Sequence, residues 1–442
     1  MSPPTKIPPL TSKTLPISLI KGVIGPAILY VPHGFSTSGY LFTLPMLFLT
    51  VCLFLWSSRA LLDSWKDEYD LQAKSLNGPT SERSLLVSST DSDDDKLDAE
   101  LEGSVETRFP SEASDDLKPE EWTIVKPTFT SLVKTTFNNS TSTLIDLMIF
   151  CQQSGITLTY YIFISKNLSV CFGVNDNIVI FVLMLVQLPL SCIESIALLS
   201  KTNLIANGLI GYGLVGIVIY AFVKEDKEGL EAFGGIRDKW YLFIGMSVLL
   251  FEGLITLVIP LRNATPKEIE HTFYGVLQTV VVALAIFYVF FSMLCWYSFG
   301  NSVGIVLTAN LPVNAWSRSV QVCYSIAVGF TFPLQNFPAM EIVKNIADDS
   351  RTGGVKRTVV GCVVVGFMAL VGEAIKDDLD HLVSLVGALF GIPLAFIVPS
   401  LMRNQRGEEG WKRKVNWAVV CCGFVVMIAA TVATVVSWSV KE

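Results

Sequence analysis

Apolar residues gather along the chain in long blocks, not in the two-residue alternation of half-buried strands. Blocks of spanning length fall near 15–33, 39–60, 143–165, 176–198, 203–223, 240–260, 275–299, 315–338, 356–373, 382–401 and 415–438. A helix needs about 17 to 25 mostly apolar residues to cross a bilayer. Strands of an outer-membrane barrel would be about 10 residues long and would alternate. The pattern therefore predicts an all-α polytopic membrane protein with about 11 transmembrane helices. Helices 1 and 2 occupy 15–60, and helices 3 to 11 occupy 143–438.

One hydrophilic insertion, 63–143, interrupts the blocks. It holds 18 acidic and 8 basic residues, so it carries the acidity of a chain whose net charge is −7. Rich in Ser, Asp and Glu and poor in aromatics, it cannot repay the entropy of folding and is expected to be largely disordered. A passive linker is one reading. The other is a regulatory segment: Ser89 and Ser92 lie beside acidic runs that suit kinases, and "SERSLLV" resembles an acidic-dileucine signal for sorting adaptors. Basic residues such as Arg59, Lys66, Arg262, Arg403 and Lys412 collect on one side of the predicted topology. By the positive-inside rule that side is cytoplasmic, with residues 1–14 on it and 439–442 across the membrane. The "NLS" at Asn167 is then expected to face away from the cytoplasm and accept a glycan, unlike the "NNST" at Asn138 and the "NAT" at Asn263.

Composition agrees: 51% of residues are hydrophobic, 16% are charged, and the mean hydropathy is +0.53. No leader pattern precedes the first apolar block, which is expected to be retained. The nine cysteines lie mostly in apolar runs and read as small buried hydrophobes. His33, His271 and His381 are scattered, and HExxH, GxSxG and nucleotide-loop motifs are absent. An enzyme is not expected, nor a metal or cofactor. No repeated filter motif suggests a channel. The basic "WKRK" at 411–414 serves topology, so nucleic acid is not an expected partner.

The first block reads "LIKGVIGPAILYVPHGF", with Gly22, Gly25 and Pro26 near mid-membrane. Pro26 lacks a backbone donor. Irregular backbone inside a bilayer is tolerated only where protein or a polar cavity satisfies it. A packing kink and a binding-site break both fit. The sixth block, "YLFIGMSVLLFEGLITLVIPLRN", places Glu252 and Gly253 in mid-membrane. An intramembrane carboxylate marks a functional site by default. Interrupted first and sixth helices are what a five-plus-five inverted repeat predicts. A substrate carboxylate would sit against the backbone of Gly25, Pro26 and Ala27. Glu252 would receive a substrate ammonium or carry the coupling proton.

These residues resemble the amino acid/auxin permeases of the amino acid–polyamine–cation transporter superfamily. "LIKGVIGPAILYVPHGF" is similar to that family's first-helix motif, with Gly25, Pro32 and Phe35 at the matching positions. "LFEGLITLVIPLRN" at 250–263 matches its sixth-helix signature, "FTFPLQNFPAMEIV" at 330–343 its eighth, and "LVSLVGALFGIPLAFIVPSLM" at 382–402 its tenth. The resemblance implies a secondary active transporter of amino acids, closest to the vacuolar or lysosomal branch, with the plasma membrane as the alternative. The family often has Gly-Thr-Gly at the first break, where this chain has Gly25, Pro26 and Ala27. Substrate choice is the property this departure bears on. Protons are the favoured coupling ion, with Glu252, Glu194 and His33 as candidate carriers. Ser325 and Thr331 would be the oxygen ligands if sodium replaced them. A non-transporting amino acid sensor of the same fold is the remaining alternative.

Overall fold

A computed structural model of the chain describes residues 14–23, 25–77, 126–191, 196–225, 227, 235–312, 314–347 and 353–440. Every regular element among them is helical. In chain order they are α1 (Thr14–Val23), a 3₁₀ turn (Pro26–Tyr30), α2 (Val31–Ser38), α3 (Tyr40–Asn77), α4 (Phe129–Thr136), α5 (Asn139–Phe172), α6 (Asp176–Ser191) and α7 (Ile196–Val223). There follow α8 (Leu242–Ala264), α9 (Phe273–Phe299), α10 (Ala315–Ala347), α11 (Gly353–Ala374), α12 (Leu379–Gln405) and α13 (Gly410–Ser439).

Six stretches, lying in α3, α5, α7, α9, α12 and α13, are long and apolar enough to cross a membrane; shorter apolar helices run Asp176–Pro189, Leu242–Phe251 and Gly361–Ala374. Their outer faces are greasy: Phe48 is 71% exposed, Leu370 72% and Val425 67%. Contiguous exposed apolar surface of this kind is stable in lipid and not in water. Small and polar residues are used inward instead, as membrane helices require. Thr50 of α3 and Ser247 of α8 share a hydrogen bond at 3.0 Å between two buried hydroxyls.

The first block is broken where its sequence predicts. α1 stops at Val23, and Gly25 is extended at φ −130°, ψ −168°. Pro26 then opens the 3₁₀ turn that runs into α2. The sixth block is a correction to the sequence reading: α8 is one continuous helix through Glu252 and Gly253. Gly253 weakens a helix but keeps its N–H, while Pro260 removes only the donor to the carbonyl four residues before it, beyond Gly253. The marked irregularity lies in α12, which contains π turns at Gly387–Gly391 and Pro393–Ile397. The wider turn accommodates Pro393 within an unbroken helix.

Proline also shapes α10, which contains Pro333 and Pro338. Pro333 leaves the carbonyl of Gly329, four residues earlier, without its usual donor. Buried Gln187 of α6 donates to that carbonyl from Nε2 at 3.1 Å.

The acidic 63–143 segment is ordered at both ends, which its composition does not suggest. α3 continues to Asn77, and α4 begins with a Thr128–Ser131 capping box. Trp65 stacks on Tyr69 one turn on at 5.2 Å, and long-range partners hold these turns: Arg262 covers Trp65 at 4.7 Å, and Glu68 pairs with Arg406 at 3.0 Å. Ser89, Ser92 and "SERSLLV" lie outside the described residues.

Candidate functional site

The break in the first block supplies backbone where a continuous helix would supply none. Gly25 caps the 3₁₀ turn without any side-chain cap, and Pro26, buried, contributes no N–H. The Gly25 carbonyl accepts from Ile28 N–H at 3.3 Å and from the Tyr324 hydroxyl at 3.5 Å. A Cβ built on Gly25 would meet only the Tyr160 hydroxyl, at 3.9 Å. The break thus meets tyrosines from α5 and α10 at Gly25. Gly22 lies in the last turn of α1, just before the break.

Tyr324 is closely packed. The Tyr324 ring packs on Phe163 at 5.6 Å and lies against α7 where a Cβ on Gly213 would stand 2.6 Å from it. Phe163 in turn meets Tyr30 at 6.3 Å. Tyr161, beside Tyr160, packs edge-on against Phe332 at 5.1 Å. An anionic group would find hydroxyl and backbone dipoles here within an aromatic wall. Tyr160 and Tyr324 were not identified from the sequence. The only local signal was the paired tyrosines of "TYYIF" in an apolar block.

The two hydroxyls considered for a cation are separately occupied. Ser325 accepts from Asn167 Nδ2 at 2.8 Å, and Thr331 donates to the Ala327 carbonyl at 2.7 Å. Six residues apart on one helix, they point roughly 120° from each other. Asn167 is itself a correction: it is fully buried, with Nδ2 donating also to Gln321 O at 2.8 Å and Oδ1 accepting from Thr308 at 2.7 Å. A side chain locked in this way is not a glycan acceptor in the folded protein.

His33 sits at one end of the bundle, away from the break. Its Nδ1 donates to the Val303 carbonyl at 2.8 Å. Near it are residues with more developed chemistry. Buried Asp380, at the start of α12, accepts from His381 Nδ1 at 3.0 Å and lies 3.8 Å from Lys239 Nζ. His381, 1% exposed, reaches Ser437 of α13 through Nε2 at 3.0 Å, and Asp378 stands 3.7 Å from its Nδ1. Asp380 and His381 therefore tie the ends of α12 and α13 to Lys239, which precedes α8. Asp380, His381 and Asp378 lie close enough to suit a metal, but both ring nitrogens of His381 are already engaged. Glu252 and Gly253 fall in a stretch described by its backbone alone, and Glu194 lies outside the described residues.

A family model described as "Transmembrane amino acid transporter protein" matches residues 122–436. Vacuolar amino acid transporter 3 of Saccharomyces cerevisiae is 30% identical over 312 residues, covering 65% of this chain and 45% of that protein. Amino acid transporter AVT3B of Arabidopsis thaliana is 27% identical over 65% of this chain and 72% of its own length. The proton-coupled amino acid transporter-like protein pathetic of Drosophila melanogaster is 23% identical over 65% of this chain and 64% of its own. The chain thus matches less than half the length of the yeast relative. With the family model covering most of α4 to α13, the chain belongs to the transmembrane amino acid transporter proteins, the amino acid/auxin permease family that its motifs resemble.

Proposed function

We propose that the chain is a secondary active transporter that moves amino acids across a vacuolar membrane, coupled to protons and working by alternating access. The observation that carries this reading is the broken first block, where the Gly25 carbonyl accepts from the Tyr324 hydroxyl and a Cβ on Gly25 would stand 3.9 Å from the Tyr160 hydroxyl. The substrate carboxylate binds there. Gly22, Gly25, Pro26 and Ala27 define that side of the site. Glu252 and Gly253 complete it, with Glu252 taking the substrate ammonium or the proton, and Glu194 and His33 as further proton carriers. The names of the yeast relative and the Drosophila relative support the membrane and the proton.

Transport in this reading rocks one five-helix half against its inverted partner around the fixed site. Sodium coupling through Ser325 and Thr331 is disfavoured, since six residues apart on one helix the two hydroxyls point roughly 120° from each other. The acidic segment would present Ser89, Ser92 and "SERSLLV" to kinases and sorting adaptors. A counterflow assay separates a transporter from a sensor. Proteoliposomes preloaded with a mixture of unlabelled neutral amino acids should take up labelled substrate transiently above equilibrium. Ligand-stabilised protein with no counterflow for any amino acid would instead identify a sensor.

A further inference from the structure

The acidic segment ends in a structure that its composition does not announce. From Lys126 to Thr136 the chain runs along the ends of α3, α8 and α12, and Phe137 and Asn138 then lead it into α5. In the topology predicted from the basic residues this end of the bundle is cytoplasmic. Helix α4 packs against α3, α5 and α12, with Leu132 and Val133 at 0% and 1% exposure as its apolar anchor. Around that anchor, hydrogen bonds reach out to the other helices.

Two residues gather these bonds. Asn263, in the last turn of α8, donates from Nδ2 to the Pro127 carbonyl at 2.9 Å, while its own carbonyl accepts from Lys126 Nζ. Its Oδ1 accepts from Trp65 Nε1 of α3 at 2.9 Å. Arg406, which directly follows α12, donates from Nε to Thr136 Oγ1 at 2.8 Å and from Nη2 to Thr135 Oγ1 at 2.7 Å and Glu68 Oε2 at 3.0 Å. Thr135 in turn donates to Glu68 at 3.2 Å. The ends of α8 and α12 are thus both tied to the segment that enters α5 and to the extension of α3.

Such ties suit repeated breaking. Lys126 and Thr135 are exposed, so water takes over their hydrogen bonds when the segment lifts, and that exchange changes the free energy little. We infer that Lys126–Thr136 is a clasp that holds this end of the bundle shut, and that Asn263 and Arg406 let it go when the end opens. The clasp's role rests on the transporter reading, in which the two ends of the bundle open in turn. α1 leads from this end to the break at Gly25, with Leu15 and Leu19 fully buried, and packs against α8 and α9. The bonds of the clasp reach α3, α8 and α12 and not α1, so α1 moves only if release at the end of α8 is passed on.

Hydrogen–deuterium exchange of the full chain in detergent, read by mass spectrometry, tests this. The K126Q/T135V/T136V variant removes the bonds of three side chains outside the buried anchor and leaves Glu68 paired with Arg406. Exchange should rise about tenfold in α1 as well as in 126–136, with α7 unchanged. Arg406→Lys keeps a charge for Glu68 but loses the planar fork, and should raise exchange in the same two segments by a smaller factor. A rise confined to 126–136 in both variants would make α4 a local brace and overturn the clasp. An equal rise in α7 would mean general loosening and overturn it too. No substrate enters these measurements, so their outcome is independent of the counterflow that tests transport.

Discussion

Gly245 and Gly387 stand backbone against backbone where α8 crosses α12. A Cβ on Gly245 would lie 2.7 Å from the Ser384 carbonyl carbon and 2.9 Å from the Ala388 nitrogen, and one on Gly387 would lie 2.6 Å from the Gly245 carbonyl carbon. Backbone cannot move aside as a flexible side chain can. Gly245→Ala or Gly387→Ala should therefore destabilise the protein by about 1–3 kcal/mol, the range for overpacked cores. Thermal unfolding in detergent measures this. Gly366→Ala, where a Cβ meets nothing within 4 Å, is the control and should leave unfolding unchanged.

The break tolerates one carbon and little more. Gly25→Ala should fold and retain uptake, because its Cβ meets Tyr160 only at 3.9 Å. Gly25→Val should reach the membrane in normal amount but lose uptake, since its methyls occupy the space before the Tyr160 hydroxyl. Normal transport by Gly25→Val would reduce the break to a packing kink.

Tyr324→Phe removes only a long hydrogen bond to Gly25. A bond of that length is worth about 1 kcal/mol or less, so the apparent KM should rise by no more than about fivefold with the protein equally stable. An unchanged apparent KM would assign Tyr324 to packing alone.

Asn167 holds α5, α10 and the turn at Leu307–Asn310 together through three hydrogen bonds. Asn167→Ala leaves those partners buried and unpaired, at a cost of about 1–3 kcal/mol. The electrophoretic mobility of the protein should be the same with or without glycosidase treatment, and unchanged by Asn167→Gln. A glycan at this position would contradict the buried placement.

Asn336, in the eighth-helix motif, is 1% exposed with neither amide atom hydrogen-bonded among the described residues. Natural proteins rarely keep such a group without a use. Asn336→Leu should raise thermal stability by about 1–3 kcal/mol while lowering uptake. Higher stability with unchanged uptake would mark the amide as idle.

What the sequence reveals follows from how local each cause is. The break at Gly25 and Pro26 is legible because proline's missing donor acts on its own turn. The same reasoning overreaches at Glu252 and Gly253, where a glycine that keeps its N–H leaves α8 continuous. Tyr160 and Tyr324 meet the break across more than a hundred residues, and no local pattern announces that meeting. The same distance hides the ordering of α3 past Asp63, which depends on Arg262 and Arg406. Asn167 shows the converse error: a three-residue motif says nothing of burial, and Thr308, Gln321 and Ser325 decide it.

Accumulation of labelled amino acid in proteoliposomes under an imposed pH gradient, without sodium, tests the central claim most directly. The account predicts concentrative uptake that a protonophore abolishes, that added sodium leaves unchanged, and that Glu252→Gln severely weakens. Uptake that stops at equilibrium whatever the pH gradient, or that requires sodium, would contradict it.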